Sequence, residues 1–157
     1  MKKNYLLMGA TLGVICILFI TLIGSLLIKK THIQMNILLQ DNIKNTIATT
    51  DTIDFSKITN FEWDTLYVFT PYSSPTEIFK EDNIVNFNYQ FPIEFSDTII
   101  MLGFVKDHHF VNYVELPIEY FSDLPPTSIR FTPDTAHFKV GSKSETHPST
   151  NVIYLFE

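Results

Sequence analysis

The sequence predicts an α+β fold with a mainly antiparallel sheet and one or two short helices, preceded by a single N-terminal transmembrane helix. Three observations predict it: a 23-residue apolar run without charge near the N-terminus, several short runs rich in aromatic and β-branched residues, and one clear helix-start motif. They divide the chain into a short tail (1–5), a membrane span (6–28), a helical stalk or connector (29–50) and a compact extracytoplasmic domain (51–157).

The predicted span runs from Leu6 to Ile28 and contains no charged residue. As a helix rising 1.5 Å per residue it is about 34 Å long, which is enough to cross a hydrocarbon core of about 30 Å. A cleavable signal peptide and a lipid-modified Cys16 are the alternatives. The run is long for a signal peptide and no small-residue cleavage site follows it, so the uncleaved helix is favoured.

The lysines on both sides of the span bear on its orientation. Lys2 and Lys3 favour a cytoplasmic N-terminus, whereas Lys29 and Lys30 favour the reverse. A very short tail before a single span is typical of a signal anchor. We therefore expect a single-pass protein of the bacterial cytoplasmic membrane, with its C-terminal domain outside the cytoplasm.

Residues 29–50 carry Ile33, Ile37, Ile43 and Ile47 at spacings of three and four type, with polar residues between them. The pattern predicts an amphipathic helix. Such a helix either packs on the domain or acts as a stalk, and the stalk is slightly favoured.

The first elements of the domain are predicted from local signals. The aromatic and β-branched run 63–69 predicts a strand that ends before Pro71. Ser74, Pro75 and Glu77 then form a capping box, which predicts a short helix beginning at Pro75.

Further strands follow. Residues 83–95 alternate in part between apolar and polar side chains, which predicts a half-exposed edge strand. Runs 98–105 and 110–116 flank a short polar turn and predict an antiparallel hairpin. Residues 119–123 favour a helical turn.

The last part of the domain is predicted as a strand pair and a terminal strand. The pair is 128–132 with 136–140, and the terminal strand is 152–156 after a polar stretch. The total is six or seven strands.

A family resemblance rests on five segments: residues 61–64 (FEWD), 67–69 (YVF) and 71–72 (PY), the hairpin 99–115 and the segment 132–138. These residues resemble a family of small uncharacterised bacterial extracytoplasmic proteins that have a lipoprotein or signal-anchor N-terminus and one compact domain. At the hairpin turn the family pattern has glycine, where this chain has Asp107 and two histidines. The resemblance implies the architecture and the location, and carries no catalytic residue.

Charge and cysteine content narrow the function classes. From Thr31 onward, seven basic and seventeen acidic residues give a formal charge of −10. Such a domain repels phosphate backbones, which argues against nucleic acid and favours either a cationic protein partner or no macromolecular partner. The only cysteine, Cys16, lies in the predicted span, so the domain has neither a disulfide nor a cysteine metal site.

No motif predicts catalytic, cofactor-binding or metal-binding residues, and we expect no small-molecule cofactor. The side chains that favour an interaction surface are aromatic, acidic or lie in the hairpin turn. They are Trp63, Asp64, Tyr72, Phe87, Tyr89, His108 and His109. For Trp63 a role as a core anchor is the stronger interpretation.

Three functions are compatible with these features. The first is a membrane-anchored extracytoplasmic protein-interaction module, with the bilayer contacted through residues 6–28. The second is an immunity or inhibitor protein that neutralises an envelope-acting toxin or enzyme. The least favoured is an envelope hydrolase in which Glu62, Asp64, Glu77 and Glu115 converge as carboxylates.

Overall fold

A computed structural model describes residues 32–142 and 151–156. Within these ranges the chain forms three α-helices, eight strands and two 3-10 helices. In chain order they are α1 (Ile37–Thr49), β1 (Thr52–Asp54), α2 (Phe55–Ile58), β2 (Thr65–Phe69), α3 (Pro75–Glu81), a 3-10 helix (Pro92–Phe95), β3 (Ile99–Lys106), β4 (His109–Pro117), a second 3-10 helix (Ile118–Tyr120), β5 (Phe121–Ser122), β6 (Ile129–Phe131), β7 (His137–Ser142) and β8 (Asn151–Tyr154).

The strands form two four-stranded sheets. The first has the order β1-β7-β8-β5 and the second has the order β4-β3-β2-β6. Among the described strands only β5 and β8 pair in parallel, and the other neighbours are antiparallel. The predicted α+β class with mainly antiparallel sheets is confirmed.

The second sheet is apolar on both faces, and this creates two cores. Alternate residues of β2 point to opposite faces of the sheet. Leu66 and Val68 enter one core, called the inner core, while Tyr67 and Phe69 enter the other, called the outer core. The inner core also contains residues of the first sheet and of α1. The outer core, under α3 and the loop after it, is largely aromatic. Its buried members are Tyr67, Phe69, Phe79, Ile84, Phe91, Ile93, Met101, Val105, Phe110 and Tyr113.

Helix α1 is part of the domain, so the expectation of a stalk is wrong for this segment. The predicted helix is present, with the Asn36 side chain accepting from the backbone N–H of Leu39 at 2.9 Å. Leu39, Ile43 and Ile47 are buried in the inner core. The spacing of four residues places all three on one face of the helix, and burying that face stabilises the domain more than exposing it on a stalk.

The predicted hairpin is confirmed as β3 and β4, with a tighter turn than expected. Lys106 pairs with His109, so the loop contains only Asp107 and His108. Their φ values are 47° and 61°. Positive φ at both central residues is what a type I′ turn requires, and it matches the twist of the two strands.

The predicted strand over residues 83–95 is wrong. Asn83 and Asn86 have φ values of 57° and 62°, which interrupt an extended chain. Val85 makes only an isolated bridge to the hairpin. Asn88, expected on the polar face, is buried and bonded through its side chain to the backbone of the N-terminal segment. Tertiary hydrogen bonds, rather than a ladder, therefore hold this segment.

The predicted pairing of 128–132 with 136–140 is also wrong. Both segments contain strands, but β6 pairs with β2 in the second sheet and β7 pairs with β1 and β8 in the first. The loop between them therefore crosses from one sheet to the other.

The remaining predictions concern single elements. The strand predicted at 63–69, the helix at Pro75 and the terminal strand are present as β2, α3 and β8. Residues 118–120 form a 3-10 helix where a helical turn was expected. In the described residues no helix has the length and apolar character needed to span a bilayer, and the predicted span 6–28 lies outside them.

Candidate interaction site

A polar cleft of about 460 Å³ opens beside the start of β2 and the hairpin turn. Its lining combines three carboxylates with a tyrosine, a histidine and an arginine from separate elements. The lining residues are Asp64, Thr65, Tyr67, Asp82, Ile84, Val105, Asp107, His108 and Arg130.

Tyr67, Asp82 and Arg130 form the wall of the cleft opposite the turn. Asp82 follows α3, and its Oδ2 accepts from the Tyr67 hydroxyl at 2.9 Å and lies 2.6 Å from the Arg130 guanidinium. The guanidinium carbon also lies 5.2 Å from the centre of the Tyr67 ring. The arrangement joins β2, β6 and the end of α3, so it fixes the position of this wall.

The Asp64 side chain is hydrogen-bonded to the backbone of the hairpin turn. Its Oδ2 accepts from the backbone N–H of Asp107 at 2.8 Å, and its Oδ1 accepts from the Thr65 hydroxyl at 3.2 Å. The Asp64 backbone N–H donates to Val105 at 2.9 Å. A carboxylate that accepts a backbone N–H is a strong acceptor, so Asp64 holds the Asp107–His108 turn beside the cleft.

The charges and proton donors of the cleft favour binding of a cationic group. Burial raises the pKa of Tyr67 to about 12, with a further increase from its hydrogen bond to Asp82. Tyr67 therefore remains a protonated donor at neutral pH and is unsuited to act as a base. Asp82 is neutralised by Arg130, whereas no ion pair within the described chain neutralises Asp64 or Asp107. Two carboxylates without a counter-charge favour a cationic group in this cleft.

The structure brings together only part of the predicted interaction surface. Asp64 and His108 line the cleft, and His109 is exposed next to them, with its Nδ1 2.7 Å from the Asp107 carbonyl oxygen. Trp63 is only 7% exposed. Its indole N–H donates to the Thr59 hydroxyl at 2.9 Å, as the core-anchor interpretation expects.

The other three predicted residues do not line the cleft. Tyr72 and Tyr89 are 66% and 65% exposed, whereas Phe87 is half-buried against the outer core. Tyr72 has a φ of 62°, an uncommon conformation for an aromatic residue, and its backbone N–H donates to Ile93 at 3.0 Å.

Sequence reasoning missed Tyr67, Asp82 and Arg130 as members of one site. They lie in three separate segments, and their contacts depend on β6 pairing with β2. The sequence carries one signal that could have drawn attention to this site: Arg130 is the only arginine of the chain.

The four carboxylates considered for a hydrolase lie on three separate parts of the chain, because Glu62 and Asp64 share the loop before β2. Of these, only Asp64 lines the cleft; Glu77 is in α3 and Glu115 is in β4. No group of three or more His, Cys, Asp or Glu side chains suited to a metal occurs in residues 32–142 and 151–156.

Comparisons with known proteins give no match: no family model, no curated protein and no solved structure is similar to the chain. The resemblance to small bacterial extracytoplasmic proteins therefore stays a prediction.

Glu115, outside the cleft, gives a pH-dependent prediction. Its Oε1 is buried without a hydrogen-bond partner in the described structure, and burial raises the pKa of this carboxyl. The native state therefore disfavours the ionised form, so this group lowers stability as pH rises from about 4.3, the ordinary value for glutamate. We expect Glu115→Gln to raise the urea midpoint at pH 7 and to flatten its decline with pH.

The measurement is urea unfolding of the full chain in detergent micelles between pH 4 and 8, followed by emission of the only tryptophan, Trp63. The exposed Glu119, a few residues further along, supplies the control Glu119→Gln, which should leave the midpoint unchanged. Equal midpoints for the two variants at pH 7 would show that the buried carboxylate is not destabilising.

Proposed function

We propose that the chain is a membrane-anchored extracytoplasmic protein-interaction module whose domain binds a cationic protein partner. The observation that supports this most directly is the cleft with two carboxylates, Asp64 and Asp107, that lack a counter-charge among the described residues. The predicted span 6–28 and the formal charge of −10 from Thr31 onward agree with a tethered acidic domain.

The position of the carboxylates favours recognition of a protein. Asp107 is exposed at the tip of a two-residue turn, and the turn is held rigidly by Asp64 and by the bridge from Val85 to β4. A rigid, exposed carboxylate loses little conformational entropy when a lysine or arginine of a partner approaches. The surrounding negative charge also steers a cationic partner toward the cleft.

The test is cross-linking in cells of the full-length tagged chain, followed by identification of the proteins that co-purify. We expect one stoichiometric partner with a basic surface. Capture should fall at high ionic strength, because exposed charge pairs are screened over about 8–10 Å at physiological salt and over about 3 Å at 1 M.

The charge-reversal variant Asp107→Lys tests the site. It places a cation at the mouth of the cleft, and we expect capture of the partner to drop by at least about tenfold, since like-charge juxtaposition costs several kcal/mol. The control is Asp97→Lys, an exposed aspartate just before β3, at the opposite end of the strand from Asp107. Equal capture by both variants would remove the cleft from the interaction.

A further inference from the structure

One arginine of the chain already lies in the acidic cleft. Arg130 is the only arginine in the sequence. Its guanidinium carbon lies 5.2 Å from the centre of the Tyr67 ring, and its Nη2 lies 2.6 Å from Asp82 Oδ2. An aromatic face beside a carboxylate suits a guanidinium, because the ring attracts the cation and the carboxylate accepts its N–H groups. Tyr67 and Asp82 therefore form a guanidinium site, and the chain itself fills it.

The Arg130 side chain is held weakly in this site. It is 54% exposed, and the Asp82 side chain is 22% exposed. Ion pairs that water reaches contribute little net stability, because solvent screens the attraction and both side chains lose conformational freedom. Arg130 can therefore leave the site at a small cost when another cation takes its place.

The wall of the cleft does not need the Arg130 side chain. Strand β6 is held to β2 by backbone pairing, in which Arg130 lies opposite Tyr67. The other two residues of β6, Ile129 and Phe131, pack against the inner core. The Tyr67 hydroxyl donates to Asp82 at 2.9 Å and keeps the end of α3 against β2. These contacts remain when the guanidinium of Arg130 moves away.

The other carboxylates of the cleft favour an incoming cation. Asp64 and Asp107 line the same cleft and have no ion-pair partner among the described residues. Burial and the bond to Asp82 raise the pKa of Tyr67 to about 12, and the charge of Asp64 adds to the increase. Asp64 therefore lies within electrostatic range of the Tyr67 hydroxyl. A cation that enters the cleft is attracted by two unpaired carboxylates that Arg130 does not neutralise.

We infer that Tyr67 and Asp82 form a binding site for an arginine of the partner, and that Arg130 occupies this site as an internal competitor in the free domain. The inference rests on the proposed function, because it concerns the same cleft. It adds that the partner presents an arginine. It also makes Arg130 a threshold for binding, since a partner displaces it only when its own arginine is attracted by Asp64 and Asp107 as well.

Displacement of Arg130 can be observed by NMR. In the ¹⁵N-labelled full chain in detergent micelles, Arg130 gives the only arginine Nε–H resonance. Its position in an Asp82→Asn variant defines the displaced state. The backbone amide of Asp107, which donates to Asp64, reports cation binding at the hairpin turn. The probe is an unlabelled, blocked peptide in which arginine alternates with glycine. Matched peptides carry citrulline, which is uncharged, or lysine in place of arginine.

We expect the arginine peptide to move the Arg130 resonance to its displaced position and to shift the Asp107 amide, and the citrulline peptide to move neither. The lysine peptide should shift only the Asp107 amide, because an ammonium lacks the planar face that stacks on Tyr67. Equal movement of Arg130 by the lysine peptide would overturn the assignment to arginine. If the arginine peptide shifts Asp107 alone, displacement is refuted and the cationic site stands. If it shifts neither signal, the cleft binds no cation and both proposals fail.

Capture of the partner in cells provides a second test. Arg130→Gln removes the internal competitor, and we expect capture to rise by about two- to fivefold, the gain that loss of an exposed ion pair allows. Lys106→Gln is the matched control, because it removes the same charge beside the hairpin turn from a side chain that does not line the cleft. Trp63 emission verifies that each variant is folded. No gain over the control, or a loss of capture in Arg130→Gln, would overturn the role of Arg130 as a competitor.

Discussion

Replacing Phe79 by alanine should lower the free energy of unfolding of the domain by about 3–5 kcal/mol, the range for removing a buried phenylalanine ring. Domains of this size are stable by about 5–15 kcal/mol, so the variant should lose about a fifth or more of its stability. Phe79 is fully buried on α3 and is the centre of the outer core.

The expected loss follows from the number of rings that meet Phe79. Its ring lies 5.3 Å from Phe69 and 5.3 Å from Tyr67, in edge-to-face contacts of 89° and 84°. It also lies 5.0 Å from Phe110 and 6.2 Å from Phe91. Such pairs contribute about 0.5–1.5 kcal/mol each beyond the burial of their area. Rigid rings on β2 and β4 cannot collapse into the space that the alanine leaves, so a cavity should remain.

Urea unfolding of the full chain in detergent micelles, followed by Trp63 emission, measures this loss. Phe95→Ala is the matched control, since Phe95 is 70% exposed and its removal should change stability by less than about 0.5 kcal/mol. If both phenylalanine variants unfold at the same urea concentration, the aromatic outer core does not contribute to stability as the contacts require.

Local chemistry explains which elements of the fold were predictable. The capping box at Ser74 and Pro75 and the hairpin of β3 and β4 depend on residues close in sequence, and both are present. The strand predicted over residues 83–95 is absent, because the apolar and polar side chains that alternate there have separate tertiary contacts instead of facing the two sides of a sheet. Asn88 bonds to Ile33, which is 55 residues away, and no periodicity within the segment reveals that partner.

The candidate site also has a part that local sequence predicts and a part that depends on contacts between distant segments. Asp64 and His108 could be singled out because each lies in a distinctive local segment, the aromatic motif and the hairpin turn. Their meeting at one cleft depends on the register of β2 against β3, in which Thr65 lies opposite Val105. The contacts of Tyr67 with Asp82 and Arg130 need the non-local strand pair β2–β6 as well, and that pair joins segments about sixty residues apart. Pairings of that range are set by the global fold.

The second large loss of stability is expected from a substitution in helix α1. Ile43→Ala should lower the free energy of unfolding by about 2–5 kcal/mol, because it removes a fully buried side chain from the inner core. Asn45→Ala, at an exposed position of the same helix, is the control and should change stability by less than about 0.5 kcal/mol. The readout is again urea unfolding of the full chain followed by Trp63, whose ring lies in the same core as Ile43.

This pair of variants separates a structural helix from a stalk. Polar contacts also join α1 to distant parts of the domain: the side chain of Asn151 in β8 donates to the Ile47 carbonyl oxygen at 2.9 Å, and Asn42 donates to the Ile58 carbonyl oxygen at 3.1 Å. A helix held in this way cannot detach without opening the inner core, so the Ile43 variant should unfold in one transition with the sheets. If it instead matches the Asn45 variant, α1 is dispensable for the domain and behaves as a stalk. In that case the inner core would be stable without the side chains that α1 buries in it.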